Sequence, residues 1–245
     1  MRQKRLITFV LFICSLLLWK PLHTEAAEQT VANLVLMVNF QNDATNVFTA
    51  GYQCVEEMYN TSDANGVRSY ISAISDGKVD VQNFFPQDHQ GSFHAITLSG
   101  SAEAYAQSDD TGFIEAVINE MNRMIESGEL GEIQGDSLDT WEKAGQTLDG
   151  CIDNVTFLVQ SDGNGTFYPH AAGYGGSREL YGKKVAQYNI IPTAKLSLSA
   201  SYCLGYAVVS HEFLHSLGAP DLYRTGGVTD GKPVGIWDGW IISGL

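Results

Sequence analysis

The chain of 245 residues is short of positive charge, of cysteine and of long apolar runs. It holds 14 Lys and Arg residues against 28 Asp and Glu residues, a net charge of −14. Such a surface repels phosphate backbones and anionic lipids, which excludes nucleic acid as a partner and excludes membrane attachment by charge. The length suits one substantial domain.

Only one long apolar run is present, and it lies at the start of the chain. A basic start is followed by an apolar run over 6–19 and by the small residues Ala26 and Ala27. This pattern predicts a signal peptide, 1–27, and a secreted, extracellular mature chain, 28–245; an uncleaved anchor is the less favoured alternative. Cleavage of the signal peptide removes four basic residues and one acidic residue. The mature chain then has 10 basic and 27 acidic residues, a net charge of −17.

Cysteine is scarce, and Cys14 leaves with the predicted signal peptide. Cys54, Cys151 and Cys203 remain, and three cysteines cannot all pair within one chain. One disulfide with one buried thiol is possible, and three unpaired cysteines are equally possible. The sequence leaves both alternatives open.

The first part of the mature chain predicts a strand, a helix and a second strand over residues 33–85. The apolar run 34–40 indicates a buried strand. The segment NGVRSYISAISDGK predicts a short helix with Asn65 as N-cap and Gly77 as its stop, and VDVQNFF alternates as a strand does.

The middle of the chain continues this alternation and predicts a layered α/β fold. An apolar stripe from Phe113 to Ile125 indicates a core helix that ends at Gly128, and Val155–Val159 indicates a further strand. The glycine-rich stretch 163–188 lacks the GK[ST] and GxGxxG patterns of phosphate-binding loops, so we predict a long surface loop there.

The segment HEFLHSLGAPDLY begins at His211, inside a predicted helix that runs from Leu204 to Gly218. His211 and His215 are four residues apart, so both imidazoles project from one helix face and can reach one ion. A catalytic zinc takes three protein ligands. Gly218 can end the helix in a left-handed conformation and turn Asp221 back towards that ion. No glutamate follows His215 in the chain.

Glu212 lies beside the two histidines and is the candidate general base. A carboxylate there would accept a proton from water as the water attacks a peptide carbonyl, and would later deliver it to the leaving amine. Because imidazole must be neutral to bind zinc, we predict loss of metal below about pH 6, measured as bound zinc during an acid titration.

The residues of HEFLHSLGAPDLY resemble the HExxHxxGxPDxY motif of the immune inhibitor A family of secreted bacterial zinc metalloproteases, which are related to the metzincins. The resemblance implies a metzincin-like mixed sheet packed on helices, with the HExxH helix near the C-terminus. It implies His211, His215 and Asp221 as zinc ligands and Glu212 as general base. Weaker matches, LVLMVNF, VRSYISAISDGKVDV and FYPH, extend it from about residue 33 to the end of the chain.

The chain departs from that family after the zinc helix. The family has a turn of the form WDIMxSG, whereas Ile241 or Ile242 stands at the methionine position, and the sequence ends at Leu245. The resemblance therefore predicts a metalloprotease-like catalytic domain, 28–245, that is shortened at its C-terminus.

Two functions follow from these observations. The first is a secreted zinc endopeptidase acting on protein or peptide substrates; the alternative is a noncatalytic zinc-binding or partner-binding remnant of such an enzyme. Calcium has no support, because the SDGNG loop, 161–165, lacks the spacing of a calcium loop. We interpret His89 and His94 as surface or loop residues and His170 as structural.

Overall fold

The computed structural model describes residues 29–44, 46–48, 53–63, 65–106, 109–141, 148–161, 166–198, 203–220, 228–229 and 232–233. Three sequence predictions fall outside these residues. They are the signal peptide 1–27, the candidate ligand Asp221, and the turn around Ile241 and Ile242.

A mixed sheet forms the centre of the structure. Its long strand β1 pairs in parallel with β2 and β3 on one side and with β5 on the other, and β5 pairs in parallel with β9. The edge strand β6 pairs with β9 in the antiparallel direction. The bounds are β1 Gln29–Phe40, β2 Val79–Phe84, β3 Ile96–Leu98, β5 Asn154–Val159, β6 His170–Gly173 and β9 Gln187–Pro192.

Helices cover both faces of this sheet, which makes the fold a layered α/β arrangement. The helices are α1 Gln53–Asn60, α2 Val67–Ile74, α3 Ala102–Tyr105, α4 Thr111–Glu126 and α5 Tyr206–Ser216. Alternate residues of β1 face opposite sides. Leu34 and Leu36 belong to the core cluster that contains the α4 residues, whereas Val35 and Met37 belong to the cluster that contains α1 and α5 residues.

Short elements surround the central sheet. Three small strands form a separate sheet, β4 Cys151–Ile152, β7 Glu179–Leu180 and β8 Lys183–Val185. Two further pairs are β10 Ser197–Leu198 with β11 Cys203–Leu204, and β12 Val228–Thr229 with β13 Lys232–Pro233. Single turns of 3-10 helix occupy Gly135–Leu138 and Thr193–Lys195. Within the described part of the chain, no helix combines the length and apolar character needed to cross a bilayer.

Several sequence predictions are confirmed. The strands around 34–40 and 155–159 are β1 and β5, and the strand, helix and strand order over 33–85 is present. The stripe of α4 is core, with six residues buried: Phe113, Ile114, Val117, Ile118, Met121 and Met124.

Three predictions need correction. The long surface loop over 163–188 is wrong, because this stretch contains β6, β7, β8 and the start of β9. Strands of two to four residues are too short to show a period of two, and the glycines disguise them. Asn65 is not the N-cap of α2, since Gly66 takes that position. The sequence interpretation also missed α1.

The cysteine question is answered for two residues. Cys54 takes part in a disulfide, and Cys151 is a free thiol. The alternative with three unpaired cysteines is therefore wrong.

An aromatic cluster around Phe113 holds α4 on the sheet. The Phe113 ring is fully buried, and its centroid lies 5.0 Å from that of Phe167 and 5.5 Å from that of Phe157. We expect Phe113→Ala to lower the free energy of unfolding by about 3 to 5 kcal/mol, since it leaves a cavity. Urea denaturation measures this, with Ile74→Ala as control.

Ile74 is 49% exposed, so its truncation should change the free energy of unfolding by about 0.5 kcal/mol or less. Equal losses for Phe113→Ala and Ile74→Ala would show that the aromatic cluster does not hold α4.

Candidate metal centre

The helix that carries the HExxH residues starts later than the sequence predicts. Gly205 has a φ of 126°, a conformation that residues with a side chain rarely adopt. A Cβ at Gly205 would lie 2.5 Å from Cδ2 of Leu196, so a larger residue would have to displace that side chain as well as adopt the strained backbone conformation. Helix α5 therefore begins at Tyr206, and Leu204 lies in the short strand β11.

The two histidines of α5 face one another. Nε2 of His211 and Nε2 of His215 are 3.2 Å apart, and the ring planes are inclined by 84°. Two imidazole nitrogens bound to one tetrahedral zinc, each at about 2.05 Å, are separated by about 3.3 Å. The spacing of this histidine pair therefore fits a shared ion.

The end of α5 fixes the tautomer of His215. Its Nδ1 lies 2.8 Å from the carbonyl oxygen of Ala219, and a carbonyl oxygen only accepts hydrogen bonds, so Nδ1 carries the proton. The lone pair of the neutral ring is then on Nε2, which faces His211. A hydrogen bond of this kind orients a metal-binding histidine.

Gly218 produces the turn that brings Ala219 back. Its φ is 91°, in the left-handed region, as the sequence predicts. The amide of Gly218 donates to the His215 carbonyl at 2.9 Å, and the amide of Ala219 donates to the Leu214 carbonyl at 3.0 Å. These bonds satisfy carbonyls at the helix end. Asp221 follows two residues beyond Ala219, outside the described residues.

Glu212 completes the described cluster. Its side chain is buried, with 7% of the residue exposed, and one ligand atom from each of His211, Glu212 and His215 lies within 4.8 Å of the others. The structure thus brings together three of the four predicted site residues. A carboxylate beside two imidazoles in a partly dry setting suits both metal binding and proton transfer.

A row of side-chain amides fastens α5 to the sheet; we call the half-buried Asn83 and the buried Asn33, Asn154 and Asn189 the amide row. Nδ2 of Asn33 donates to Oδ1 of Asn83 at 2.9 Å. Nδ2 of Asn154 donates to Oδ1 of Asn33 at 2.8 Å and to Oδ1 of Asn189 at 2.7 Å. The row therefore crosses four adjacent strands, β2, β1, β5 and β9.

The row ends on the turn of α5 that carries the site. Nδ2 of Asn189 donates to the Glu212 carbonyl at 2.8 Å and to Oγ of Ser216 at 3.0 Å. Oγ of Ser216 in turn donates to Oδ1 of Asn154 at 2.8 Å. Both ends of the turn 212–216 are thereby tied to the sheet. The sequence interpretation missed these residues, although asparagines inside otherwise apolar strands were an available signal.

A second polar cluster joins α4 to the edge strand. Oδ2 of Asp110, the residue before α4, lies 2.7 Å from Nε2 of His170 and accepts a hydrogen bond from the Tyr188 hydroxyl at 2.7 Å. His170 therefore has a structural partner, consistent with the sequence interpretation. Its Nδ1 lies 2.9 Å from the Tyr168 carbonyl.

The charges in this cluster shift two pKa values in opposite directions. Burial disfavours the charged form of His170, but hydrogen bonds with Asp110 and the Tyr168 backbone outweigh it, and the pKa of His170 is raised. Burial also opposes ionisation of Asp110, yet its bonds with His170 and Tyr188 leave its pKa lowered. The negative charge of Glu212 adds to the rise at His170. The cluster thus holds an ion pair between the residue that precedes α4 and the first residue of β6.

His89 and His94 are not part of the cluster formed by His211, Glu212 and His215. His89 is exposed, and its Nε2 lies 2.9 Å from the Gly128 carbonyl. His94 is half-buried in the loop before β3. Among the described residues, His211, Glu212 and His215 form the single group of three or more potential ligands that lie together.

Comparison with known proteins adds no assignment: no protein-family model matches this chain, and no curated protein matches it.

Removing Asn189 should loosen the site turn. We expect Asn189→Ala to lower the free energy of unfolding by about 2 to 3 kcal/mol, because the Glu212 carbonyl and the Ser216 hydroxyl each lose a buried donor. Zinc should also bind more weakly. Denaturant titration and a competitive chelator assay measure the two effects.

Asn122→Ala is the matched control, since Asn122 also donates to a carbonyl, that of Glu179, but at the surface. We expect this variant to lower the free energy of unfolding by about 0.5 kcal/mol or less and to leave the zinc affinity unchanged. Similar results for Asn189→Ala and Asn122→Ala would contradict the role given to the amide row.

The Asp110 and His170 pair should stabilise the fold within a limited pH window. The His170 pKa is raised from 6.5, so its contribution is complete below about pH 6.5 and is lost as the pH rises through the folded-state pKa. The Asp110 pKa is lowered from 3.8, so its contribution is present above about pH 3.8 and is lost as the pH falls through the folded-state pKa.

We therefore expect the difference in unfolding free energy between wild type and His170→Gln to be largest between about pH 4 and 6.5. Urea denaturation of metal-free protein at several pH values measures it. In an Asp110→Asn background the pH dependence of that difference should vanish. A constant difference from pH 5 to pH 9 would rule out the ion pair.

Proposed function

We propose that this protein is a secreted zinc-dependent endopeptidase of the immune inhibitor A type. The observation that carries the proposal is the separation of 3.2 Å between the Nε2 atoms of His211 and His215, with the buried Glu212 carboxylate in the same cluster. Side chains that only cap a helix have no need to converge in this way. The mixed sheet with helices on both faces is compatible with a metzincin-like fold.

Zinc is the proposed cofactor, and Asp221 is the proposed third ligand. Support for Asp221 comes from the turn at Gly218, where the chain folds back far enough for the Ala219 carbonyl to reach His215. Nitrogen and carboxylate ligands in a set of three, with one position left for water, are typical of catalytic zinc.

Bound zinc supplies a Lewis acid that lowers the pKa of water to about 7. The protein supplies the rest of the chemistry. Glu212 takes a proton from the attacking water and returns it to the leaving amine, so one carboxylate acts first as base and then as acid. The amide row holds the Glu212 backbone, and Ala219 holds the His215 ring.

The edge strand favours an extended peptide as substrate. Strand β6 pairs with β9 on one side, and on its other side it pairs with no strand in the described part of the chain. Helix α5 packs against β6 and β9. A peptide that adds to β6 as a further strand would lie beside the histidine pair, with its main chain fixed by hydrogen bonds.

A noncatalytic zinc-binding or partner-binding domain is the alternative. The peptidase and a zinc-binding domain both require His211 and His215, but only the peptidase requires Glu212 for turnover. Retention of the carboxylate, buried and within reach of the histidines, favours the peptidase.

The test is zinc content and hydrolysis of an unstructured protein by the chain from Glu28 onwards. We expect wild type and Glu212→Gln to bind one zinc each, with hydrolysis reduced at least about hundredfold in Glu212→Gln. His211→Ala should lose both zinc and activity, whereas the control variant His89→Ala should keep both.

Each other result selects a different conclusion. Zinc in wild type and Glu212→Gln with no hydrolysis by either would support the noncatalytic domain. Absence of zinc from wild type would refute the metal centre and with it both the peptidase and the zinc-binding domain.

A further inference from the structure

A cleft of about 370 Å³ opens beside the histidine pair; we call it the acidic cleft. The residues that line it include His215, the edge-strand segment Ala171–Gly173, Trp141, Asp149 and Cys151. Because His215 belongs both to the histidine pair and to this lining, a group held in the cleft lies next to the candidate metal centre.

The walls leave room for a long side chain. The segment of β6 that lines the cleft contributes only alanine and glycine. The Trp141 indole is held by a hydrogen bond from its Nε1 to Oε1 of Gln29 at 3.2 Å, and it provides an apolar surface. Apolar walls of this kind contact the methylene stems of lysine and arginine while the charged group reaches a polar end.

The lining of the cleft carries carboxylates and no basic Lys or Arg side chain among its described residues. The carboxylates are those of Asp149 and Asp153. The Asp153 carboxylate already accepts bonds from the Ala32 amide and the Thr140 hydroxyl, each at 2.8 Å. Asp149 is exposed, and one of its oxygens accepts the Cys151 amide at 2.9 Å. Asp149 is therefore the carboxylate placed to meet a ligand.

The pKa of the free Cys151 thiol reflects the burial and the charges around it in the cleft. Its pKa is raised, first by burial and then by the charge of Asp149 and a hydrogen bond with it. Lys184 acts in the opposite direction but more weakly than Asp149. The burial part of this shift disfavours charge of either sign, whereas the Asp149 part shows that this carboxylate acts on a group inside the cleft.

We propose that the acidic cleft binds a lysine or arginine side chain of the peptide substrate, and that Asp149 determines this specificity. As a statement about a substrate, this rests on the proposed peptidase function. Binding of a basic side chain in the cleft can nevertheless be measured without turnover.

The experiment uses the zinc-loaded Glu212→Gln chain and a set of octapeptides of alanine and glycine with one arginine, moved through each position. A second set carries citrulline instead, which has nearly the same shape without the charge. Calorimetry measures the dissociation constants. We expect arginine to bind about tenfold more tightly than citrulline at one position, because a charged guanidinium donates stronger hydrogen bonds to the Asp149 carboxylate than a neutral group of the same shape does.

Asp149→Asn keeps the oxygen that accepts the Cys151 amide but removes the charge, so we expect it to abolish the preference for arginine. Asp63→Asn is the matched control, since Asp63 is an exposed aspartate in the loop between α1 and α2. This control should keep the full preference, which separates the cleft from general attraction by an acidic protein.

Equal binding of arginine and citrulline peptides at every position would overturn the inference, as would a preference that survives Asp149→Asn. Hydrolysis by the chain with Glu212 intact is scored separately. Selective binding without hydrolysis would refute only the peptidase function, whereas hydrolysis without selective binding would refute only the acidic cleft as a specificity site.

Discussion

The hydrogen bonds from Asn189 to α5 connect the chemistry of this protein to its scaffold. A helix of 11 residues has little stability alone and depends on its packing. Here one amide group binds the Glu212 carbonyl and the Ser216 hydroxyl, so the turn that carries Glu212 and His215 cannot rotate without breaking both bonds. Since buried amides that lose partners are costly, this interaction fixes one orientation of the helix as well as adding stability.

The two faces of the sheet contribute differently to the site. On the face covered by α1, α2 and α5, the amide row determines how α5 lies on the sheet and how it is rotated about its axis, and this places the candidate ligands. On the other face, Asp110 before α4 holds His170 at the start of β6. The edge strand is thus positioned from one side and the HExxH helix from the other, and the space between them is determined by both layers.

The candidate site was predictable from sequence where its geometry is local. Two histidines four residues apart lie on the same face of any helix, and Gly218 signals a left-handed turn by its identity alone. The amide row was not predictable in this way, because its alignment depends on the register of four strands that are distant in sequence. His170 and Asp110 are 60 residues apart, and no pattern in a single sequence joins them. Strand β6 was missed for the same reason, since four residues acquire strand geometry only by pairing with β9.

The outer edge of β6 also affects how copies of the protein meet. Among the residues that the structure describes, no strand pairs with this side of β6. Its amide and carbonyl groups are there offered to any extended chain, including the same strand of a second molecule, and such edges promote aggregation. After His170, which is engaged by Asp110, alanine and glycine leave the rest of the strand without the charged or proline residues that commonly block such pairing. The net charge of −14 provides a different protection, because molecules of like charge repel before their edges touch. In about 1 M salt that repulsion reaches only about 3 Å, so self-association through β6 is then opposed mainly by the shortness of the strand.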